Sequence, residues 1–297
     1  MNKNLEDYMA QAGIEGELTE IEAGNVSRTY RVGGDPAYFL QVPGHEESMR
    51  RGILALEMQQ ETEVPVPEIV YQDLVEPFLV TEELPGQNIQ ATSEEEVYRQ
   101  VGGILADLHE QDHGYETYGL LKPERGKLVS DGVQSWRRGL DSIFNDYMGN
   151  VDRLLPMTEA AALDRHYMKN RDRVPEERPA KLGHFDFHGD NILQENLEVT
   201  GVLDWDMVRV IDPALEVVKT ERQFKRDGKP YRAFRKGYEE ERSLEISEEV
   251  EEIYSFVSEV SRLSELQYLE DAHGREPEDS EIDETMQEIK EITGMEI

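Results

Sequence analysis

The sequence predicts an α+β fold in which a small antiparallel sheet comes first and a mostly helical body follows. Two observations carry this. Short β-type runs separated by Gly- and Pro-containing turns occupy residues 17–80, and beyond Gly86 apolar residues recur at three- and four-residue spacing. With 297 residues the chain can bury a sizeable core as two lobes, divided here into 1–84 and 85–297.

Residues 3–12 form a short helix with Leu5, Tyr8 and Met9 on one face. Strands are expected at Glu17–Glu22, Thr29–Val32 and Tyr38–Val42, with turns at Gly24-Asn25-Val26-Ser27 and Gly33-Gly34-Asp35-Pro36. Ser48–Gln60 carries Ile53, Leu54 and Leu56 at helical positions. Pro65 and Pro67 then break the chain, and Phe78-Leu79-Val80 makes another strand before Leu84-Pro85-Gly86. This β-β-β-α-β-β order makes a small sheet with one helix against it. Farther on, Ser93 and Glu96 form a capping box for a helix whose face carries Val97, Val101, Ile104, Leu105 and Leu108. Short strands follow around Ile192–Leu193 and Val202–Leu203. Val250, Ile253, Tyr254, Val257 and Val260 mark a helix ending near Gly274, Arg275–Ser280 is a polar linker, and Ile282, Met286 and Ile289 mark a last helix. No internal repeat is evident.

Charge excludes several functions. Lys and Arg total 31 against 65 Asp and Glu, a net charge of −34. That field repels nucleic acids and anionic membranes, so neither is an expected partner. Apolar periodicity persists almost end to end, which argues against disorder. An acidic surface over a patterned core resembles proteins of salt-accumulating halophiles, and the charge is taken as an adaptation to solvent. With no cysteine there is no disulfide, cysteine nucleophile or thiolate metal site. The start MNKNLEDYMAQAG lacks the apolar core of a signal peptide, and no run approaches the roughly 18 apolar residues of a membrane span. A cytoplasmic monomer or weak dimer is expected.

The chemistry concentrates in LGHFDFHGDNILQENLEVTGVLDWD, residues 182–206. Asp186 precedes Asn191 by five positions, and Asp204 stands thirteen positions farther on, after the β-type Val199, Val202 and Leu203. Phosphoryl transfer from ATP needs one carboxylate facing the acceptor hydroxyl, with an amide oxygen and a second carboxylate for magnesium. Upstream, Gly24 and Asn25 in the first turn let a backbone approach phosphates and Ser27 can donate to them, although the same turn is also an ordinary hairpin. A second chemistry competes. His184, Asp186 and His188 alternate beside Asp190, which would suit a divalent-metal hydrolase. That alternative leaves the upstream sheet and the Asn191-to-Asp204 spacing unexplained.

These residues resemble the aminoglycoside phosphotransferase family, which includes fructosamine, choline and homoserine kinases and shares the protein-kinase-like two-lobed fold. The family's H-G-D-x-x-x-x-N corresponds to His184-Phe185-Asp186 through Asn191, its I-D-W-[ED] to Leu203-Asp204-Trp205-Asp206, and its G-D-P-A to Ile211-Asp212-Pro213-Ala214. Leu105-Ala106-Asp107-Leu108-His109 and Leu84-Pro85-Gly86 are weaker echoes. The other register, starting at His188-Gly189-Asp190, puts Glu195 where asparagine belongs and is set aside.

The resemblance implies a nucleotide-binding lobe over 1–84 and a helical lobe with the catalytic loop and substrate cleft over 85–297. It implies an ATP- and Mg²⁺-dependent transfer to a small-molecule hydroxyl. Asp186 would orient the acceptor and take its proton, Asn191 and Asp204 would hold Mg²⁺, and Glu82 to Leu84 would be the hinge meeting adenine. Three departures stand out: Phe185 replaces the motif glycine, Gln41 stands where the third strand usually carries a cation, and Gly52 stands at the position of its glutamate partner. Losing both partners together avoids a buried unpaired charge. Arg28, by proximity, is a candidate replacement cation, and Phe39 is bulky for a strand over adenine. These losses keep open a catalytically weak or inactive kinase-fold binding protein. For the acceptor, Trp136, Trp205, Asp206, Asp212 and Glu216 are cleft candidates. Aromatic faces and carboxylates of this kind suit an amino sugar, sugar or amino alcohol, while Trp136 also fits a core role.

Overall fold

The computed structural model describes residues 4–21 and 27–295. Helix α1 (Leu5–Ala12) is closed at its start by a reciprocal Asn4–Asp7 capping box and at its end by Gly13 in the left-handed conformation. Strands β1 (Leu18–Ile21), β2 (Ser27–Val32) and β3 (Tyr38–Pro43) follow, then helix α2 (Glu46–Gln59), β4 (Ile69–Asp73) and β5 (Phe78–Glu82). These five strands form one antiparallel sheet in the order β1-β2-β3-β5-β4.

Period-two alternation gives this sheet two different faces. Tyr30, Val32, Leu40, Val42, Phe78 and Val80 pack with Met9 and Ile14 into a small cluster on the α1 side. Gln41, in register with Thr29 and Leu79, lies on the opposite face, where Leu79 joins Met49 and Ile53 of α2. Helix α2 belongs to the large cluster that runs through the rest of the molecule, so the hydrophobic division does not follow chain order.

A two-residue strand, β6 (Gln87–Asn88), leads to α3 (Glu95–Glu110). The expected Ser93 cap is displaced. Glu94 is the N-cap residue, and the Ser93 hydroxyl instead accepts from the Gln90 N–H at 3.0 Å, closing the preceding turn. Next come β7 (Gly119–Leu120), the hairpin β8 (Lys122–Glu124) and β9 (Lys127–Val129), α4 (Trp136–Leu154) and α5 (Met157–Asn170). Strand β10 (Lys181–Gly183) precedes the segment that holds Asp186 and Asn191. Strands β11 (Ile192–Glu195), β12 (Glu198–Val202) and β13 (Arg209–Ile211) follow, then α6 (Pro213–Arg226), α7 (Tyr231–Glu241), α8 (Glu248–His273) and α9 (Asp279–Thr293). Gly274 ends α8 at φ 64°, as its position predicts. The expected linker is shorter than 275–280, because a Glu278–Glu281 capping box starts α9 at Asp279. Small sheets β10-β13-β7 and β12-β11-β6 bracket the loop between β10 and β11, fixing both of its ends.

Candidate active site

Asp186 lies in the loop between β10 and β11 and keeps 34% of its side chain exposed to the cleft. The Asn191 amide nitrogen donates to the Asp186 backbone oxygen and to its Oδ2, both at 2.9 Å, leaving the Asn191 amide oxygen as the atom suited to a metal. The Leu203 N–H donates to the Asn191 carbonyl at 2.8 Å, which ties the loop to the strand end carrying Asp204. Burial alone would raise the Asp186 carboxyl. The His188 hydrogen bond and charge, with Lys219, outweigh it and hold Asp186 well below the usual carboxylate range. An ionised Asp186 is fit to accept a hydroxyl hydrogen bond.

His184 is fully buried and has both ring nitrogens engaged. Its Nε2 donates to the Leu203 carbonyl at 2.9 Å and its Nδ1 accepts from the Asp186 N–H at 3.2 Å. Burial lowers its pKa, which suits this neutral tautomer. The metal-hydrolase alternative built on His184, Asp186 and His188 therefore loses a ligand. Among the described residues no group of three His, Asp or Glu side chains could hold a metal ion.

Phe185 adopts φ 67°, the left-handed region that the motif's glycine would favour, and is buried. Its peptide groups are held at both ends from α6: Glu216 accepts from the Phe185 N–H, and Lys219 Nζ donates to the Phe185 carbonyl at 3.0 Å. Glu216 is fully buried and also receives His109 Nε2 at 2.9 Å, and His109 Nδ1 is 2.9 Å from the Tyr238 hydroxyl. Burial pushes the Glu216 carboxyl up, but His109, His184 and the Phe185 N–H together bring it below its ordinary value. Sequence reasoning saw the His109 echo and Glu216 separately. That they form one support beneath the loop carrying Asp186 required the tertiary structure.

Asp204, at φ 60°, is exposed to the cleft. Asp206 is buried, and its Oδ2 has no hydrogen-bond partner. Burial and then the neighbouring Asp204 charge push the Asp206 carboxyl up to about 7. A buried oxygen without a partner beside an exposed carboxylate suits a cation, so Asn191, Asp204 and Asp206 fit a hard divalent metal.

Among the described residues no lysine–glutamate pair stands at the positions of Gln41 and Gly52. Gln41 is half-buried on the cleft face, and a Cβ at Gly52 would sit 3.4 Å from the Asp206 Cβ, so α2 packs closely on the Asp206 backbone. The neighbouring Arg51 is buried in that contact. Its Nε donates to the Asp206 carbonyl, Nη2 to Ser48 Oγ at 3.1 Å and Nη1 to the Leu121 carbonyl at 3.5 Å. Arg28 does not replace the missing cation, because it is exposed and in register with Val42, on the α1 side of the sheet. Phe39 does lie on the cleft face, between Arg31 and Thr81.

Other expected site residues fall as follows. Gly24 and Asn25 lie outside the described residues, while Ser27 starts β2 opposite Pro43. In the hinge, the Glu82 N–H donates to Glu68 O and the Glu83 N–H to Ala37 O, both at 3.0 Å, which fixes the backbone leading to Leu84. Trp136 is not a cleft residue. It is fully buried, and its Nε1 donates to the Tyr254 hydroxyl at 2.5 Å. Asp212 is likewise consumed: 1% exposed, it caps α6 through the Ala214 N–H, pairs with Arg178 at 2.6 Å and accepts from Tyr254. Trp205 is buried against His184, and Glu216 is internal, so neither reaches a substrate. A polar or aromatic side chain can pair in the interior, as Trp136 does with Tyr254 and Asp212 with Arg178, as readily as it can face a cleft.

The sequence pattern of the phosphotransferase enzyme family matches residues 17–249. No curated protein matches the chain. Among solved structures, the apo form of a thermostable mutant of aminoglycoside phosphotransferase APH(4)-Ia is 19% identical, with TM-score 0.68, covering 97% of this chain and 95% of that one. The gentamicin complex of APH(2'')-IIa is 17% identical, with TM-score 0.70 and coverage of 97% and 96%. Macrolide 2'-phosphotransferase MphH from Brachybacterium faecium is 17% identical, with TM-score 0.63 and coverage of 98% of both chains. At these identities the structures establish a shared fold, the two-lobed kinase-like arrangement of sheet and helical body. The family pattern spans most of the chain and takes in Asp186, Asn191 and Asp204: the chain belongs to the phosphotransferase enzyme family.

Proposed function

We propose that this chain transfers the γ-phosphoryl group of ATP to a hydroxyl of a small molecule, with residues 1–84 as nucleotide lobe and 85–297 as the lobe carrying catalytic loop and acceptor cleft. The observation that carries the reading is the Asn191 amide, whose nitrogen braces Asp186 and leaves its oxygen as the atom suited to a metal, in a loop tied by the Leu203 N–H to the strand end that carries Asp204. The family relation and solved structures of aminoglycoside phosphotransferase APH(4)-Ia with AMP-PNP or ADP and hygromycin B support it.

Asp186 accepts a hydrogen bond from the acceptor hydroxyl, aligns its oxygen on the γ-phosphorus and takes the proton as the new P–O bond forms and ADP leaves. Magnesium, when bound by Asn191, Asp204 and Asp206, would neutralise charge on the phosphates. The hinge backbone around Glu82 and Leu84 meets adenine, and Ser27 and Gln41 line the phosphate side of the sheet. Gly24 and Asn25, outside the described residues, are assigned to the same phosphate contact in this reading.

The absent Gln41–Gly52 ion pair favours one other reading, a weakly active or inactive binding protein. Thermal shift with ATP–Mg²⁺ at high salt, followed by an acceptor screen for ATP-dependent phosphorylation, separates the two. Stabilisation with turnover supports the phosphotransferase, and stabilisation without turnover of any acceptor supports the binding protein. Asp186→Asn is expected to lower kcat roughly 10²–10⁴-fold. A full-rate variant removes Asp186 from the mechanism.

A further inference from the structure

Carboxylates were the reason to expect a cationic acceptor, and the structure withdraws most of them from the cleft. Asp212 and Glu216 are both 1% exposed and already paired, and Asp206 is buried beside the metal loop. What flanks Phe185 instead is positive. The Arg209 guanidinium lies 3.9 Å from the Phe185 ring centroid, and Lys219 Nζ lies 5.2 Å from it. Both side chains remain partly exposed.

Neither cation has a carboxylate within ion-pair distance among the described residues. The polar contacts found are Arg209 Nε to the Met207 carbonyl at 3.5 Å and Lys219 Nζ to the Phe185 carbonyl at 3.0 Å. In a chain where acidic residues outnumber basic ones two to one, such half-buried cations are conspicuous. Arg222, Arg235 and Arg178, comparably buried on the same lobe, each hold at least one carboxylate. The groups acting on Arg209 are Asp146 and Tyr147 from α4, Arg51 from α2 and the already paired Glu216. Asp146 is exposed at the rim and makes no ion pair with it. Lys219 donates to the carbonyl of the peptide that joins Phe185 to Asp186, and its charge acts on the Asp186 carboxylate, so an anion held by Arg209 and Lys219 would lie close to Asp186.

We infer that the acceptor carries an anionic group, a carboxylate or phosphate, which Arg209 and Lys219 bind over the face of Phe185 while Asp186 receives its hydroxyl. This rests on the phosphotransferase reading and names its substrate class. Arg209 offers a planar fork suited to such an oxyanion, and the stacked ring holds that fork in place. Lys219, fixed by the Phe185 carbonyl, supplies a second, point-like charge. The overall negative field opposes the approach of anions, so the selectivity is a contact property that survives screening.

Three acceptors of similar size test it: glycerate (anionic), glycerol (neutral) and serinol (cationic). Each is titrated against the protein with AMP-PNP–Mg²⁺ by thermal shift, and as an acceptor with ATP–Mg²⁺, at roughly 0.15 M and 1 M salt. The expected order is glycerate, then glycerol, then serinol. Arg209→Gln is expected to raise the glycerate KM about 10- to 100-fold more than the glycerol KM, and Arg209→Lys to recover part of that difference. Serinol equalling or exceeding glycerate, no difference among the three, or a variant that keeps the full anionic preference overturns the inference. If AMP-PNP–Mg²⁺ stabilises the protein while serinol is preferred, only the anionic acceptor falls. If no nucleotide binds and no acceptor is phosphorylated, the phosphotransferase reading falls with it.

Discussion

Replacing Glu216 by glutamine tests whether α6 supports the catalytic loop. The carboxylate receives two donors, the His109 Nε2–H and the Phe185 N–H, in a site with no solvent. Glutamine retains one acceptor oxygen and turns an NH₂ toward the other donor. One buried donor then loses its partner, about 1–3 kcal/mol, and the surviving bond changes from charge-assisted to neutral, about 1 kcal/mol more. The sum, about 2–4 kcal/mol, corresponds to a Tm lower by about 3–6 °C for a chain of this size. Because one of the two donors is the Phe185 N–H, one residue before Asp186, a shift of about 1 Å in the loop should also lower kcat by about 10². Glu216 has a folded pKa held below its unfolded value. Its contribution is therefore complete above the unfolded value of about 4.3 and is lost as pH falls through the lower, folded one. The gap between wild type and variant should close below about pH 4. Differential scanning calorimetry from pH 3 to 8, with phosphorylation kinetics at pH 7, measures both effects. A lower Tm with an unchanged kcat would refute the link between α6 and Asp186, and an unchanged Tm would refute the energetic argument itself.

Three further outcomes follow from the same geometry. Asp206 has a folded pKa raised to about 7, so its ionisation destabilises the metal-free protein increasingly as pH rises from the unfolded value toward 7. Asp206→Asn should accordingly raise the metal-free Tm at pH 8, by on the order of 2–4 kcal/mol in stability, while weakening Mg²⁺-dependent nucleotide binding in the same thermal-shift assay. Arg51→Met leaves the Asp206 carbonyl without its donor in the buried contact between α2 and the metal loop, and should cost about 2–4 kcal/mol in chemical denaturation. Lysine at that position should restore only part of the loss, since it lacks the guanidinium fork. Gly237→Ala would place a Cβ 1.9 Å from the Arg99 carbonyl where α3 and α7 cross, so the helices must separate at a cost of about 2–3 kcal/mol, visible as a lower urea midpoint with little change in KM.

How far the sequence carried the site depended on which property a residue uses. Asp186, Asn191 and Asp204 act through type and spacing in one short loop-and-strand segment, and that spacing survives into the structure because β10, β11 and β12 hold its ends. The face of Gln41 was equally legible, since strand alternation alone places it opposite the apolar Leu40 and Val42. Trp136 and Asp212 were not legible as core residues. Their partners, Tyr254 and Arg178, are separated from them by 118 and 34 positions, and no local pattern announces either contact. Arg28 failed as a replacement cation for a similar reason: closeness in sequence to the phosphate turn said nothing about which side of the sheet it faces. Ser93 shows the limit for caps, where a nearer turn took the hydroxyl that the helix pattern had assigned to α3.

By itself, then, the sequence determined the order of sheet and helices, the register of the Asp186–Asn191–Asp204 motif and the loss of the lysine–glutamate pair, because each is written in periodicity, spacing or residue type. Only the tertiary structure decided that Glu216 and His109 hold the loop from below, that Arg51 ties α2 to the metal loop, and that Arg209 and Lys219 flank Phe185 without carboxylate partners. Those are relations between segments tens to more than a hundred residues apart, fixed by how helices and sheets pack, and no local pattern encodes which of several charged side chains the packing will bury, pair or leave facing the cleft.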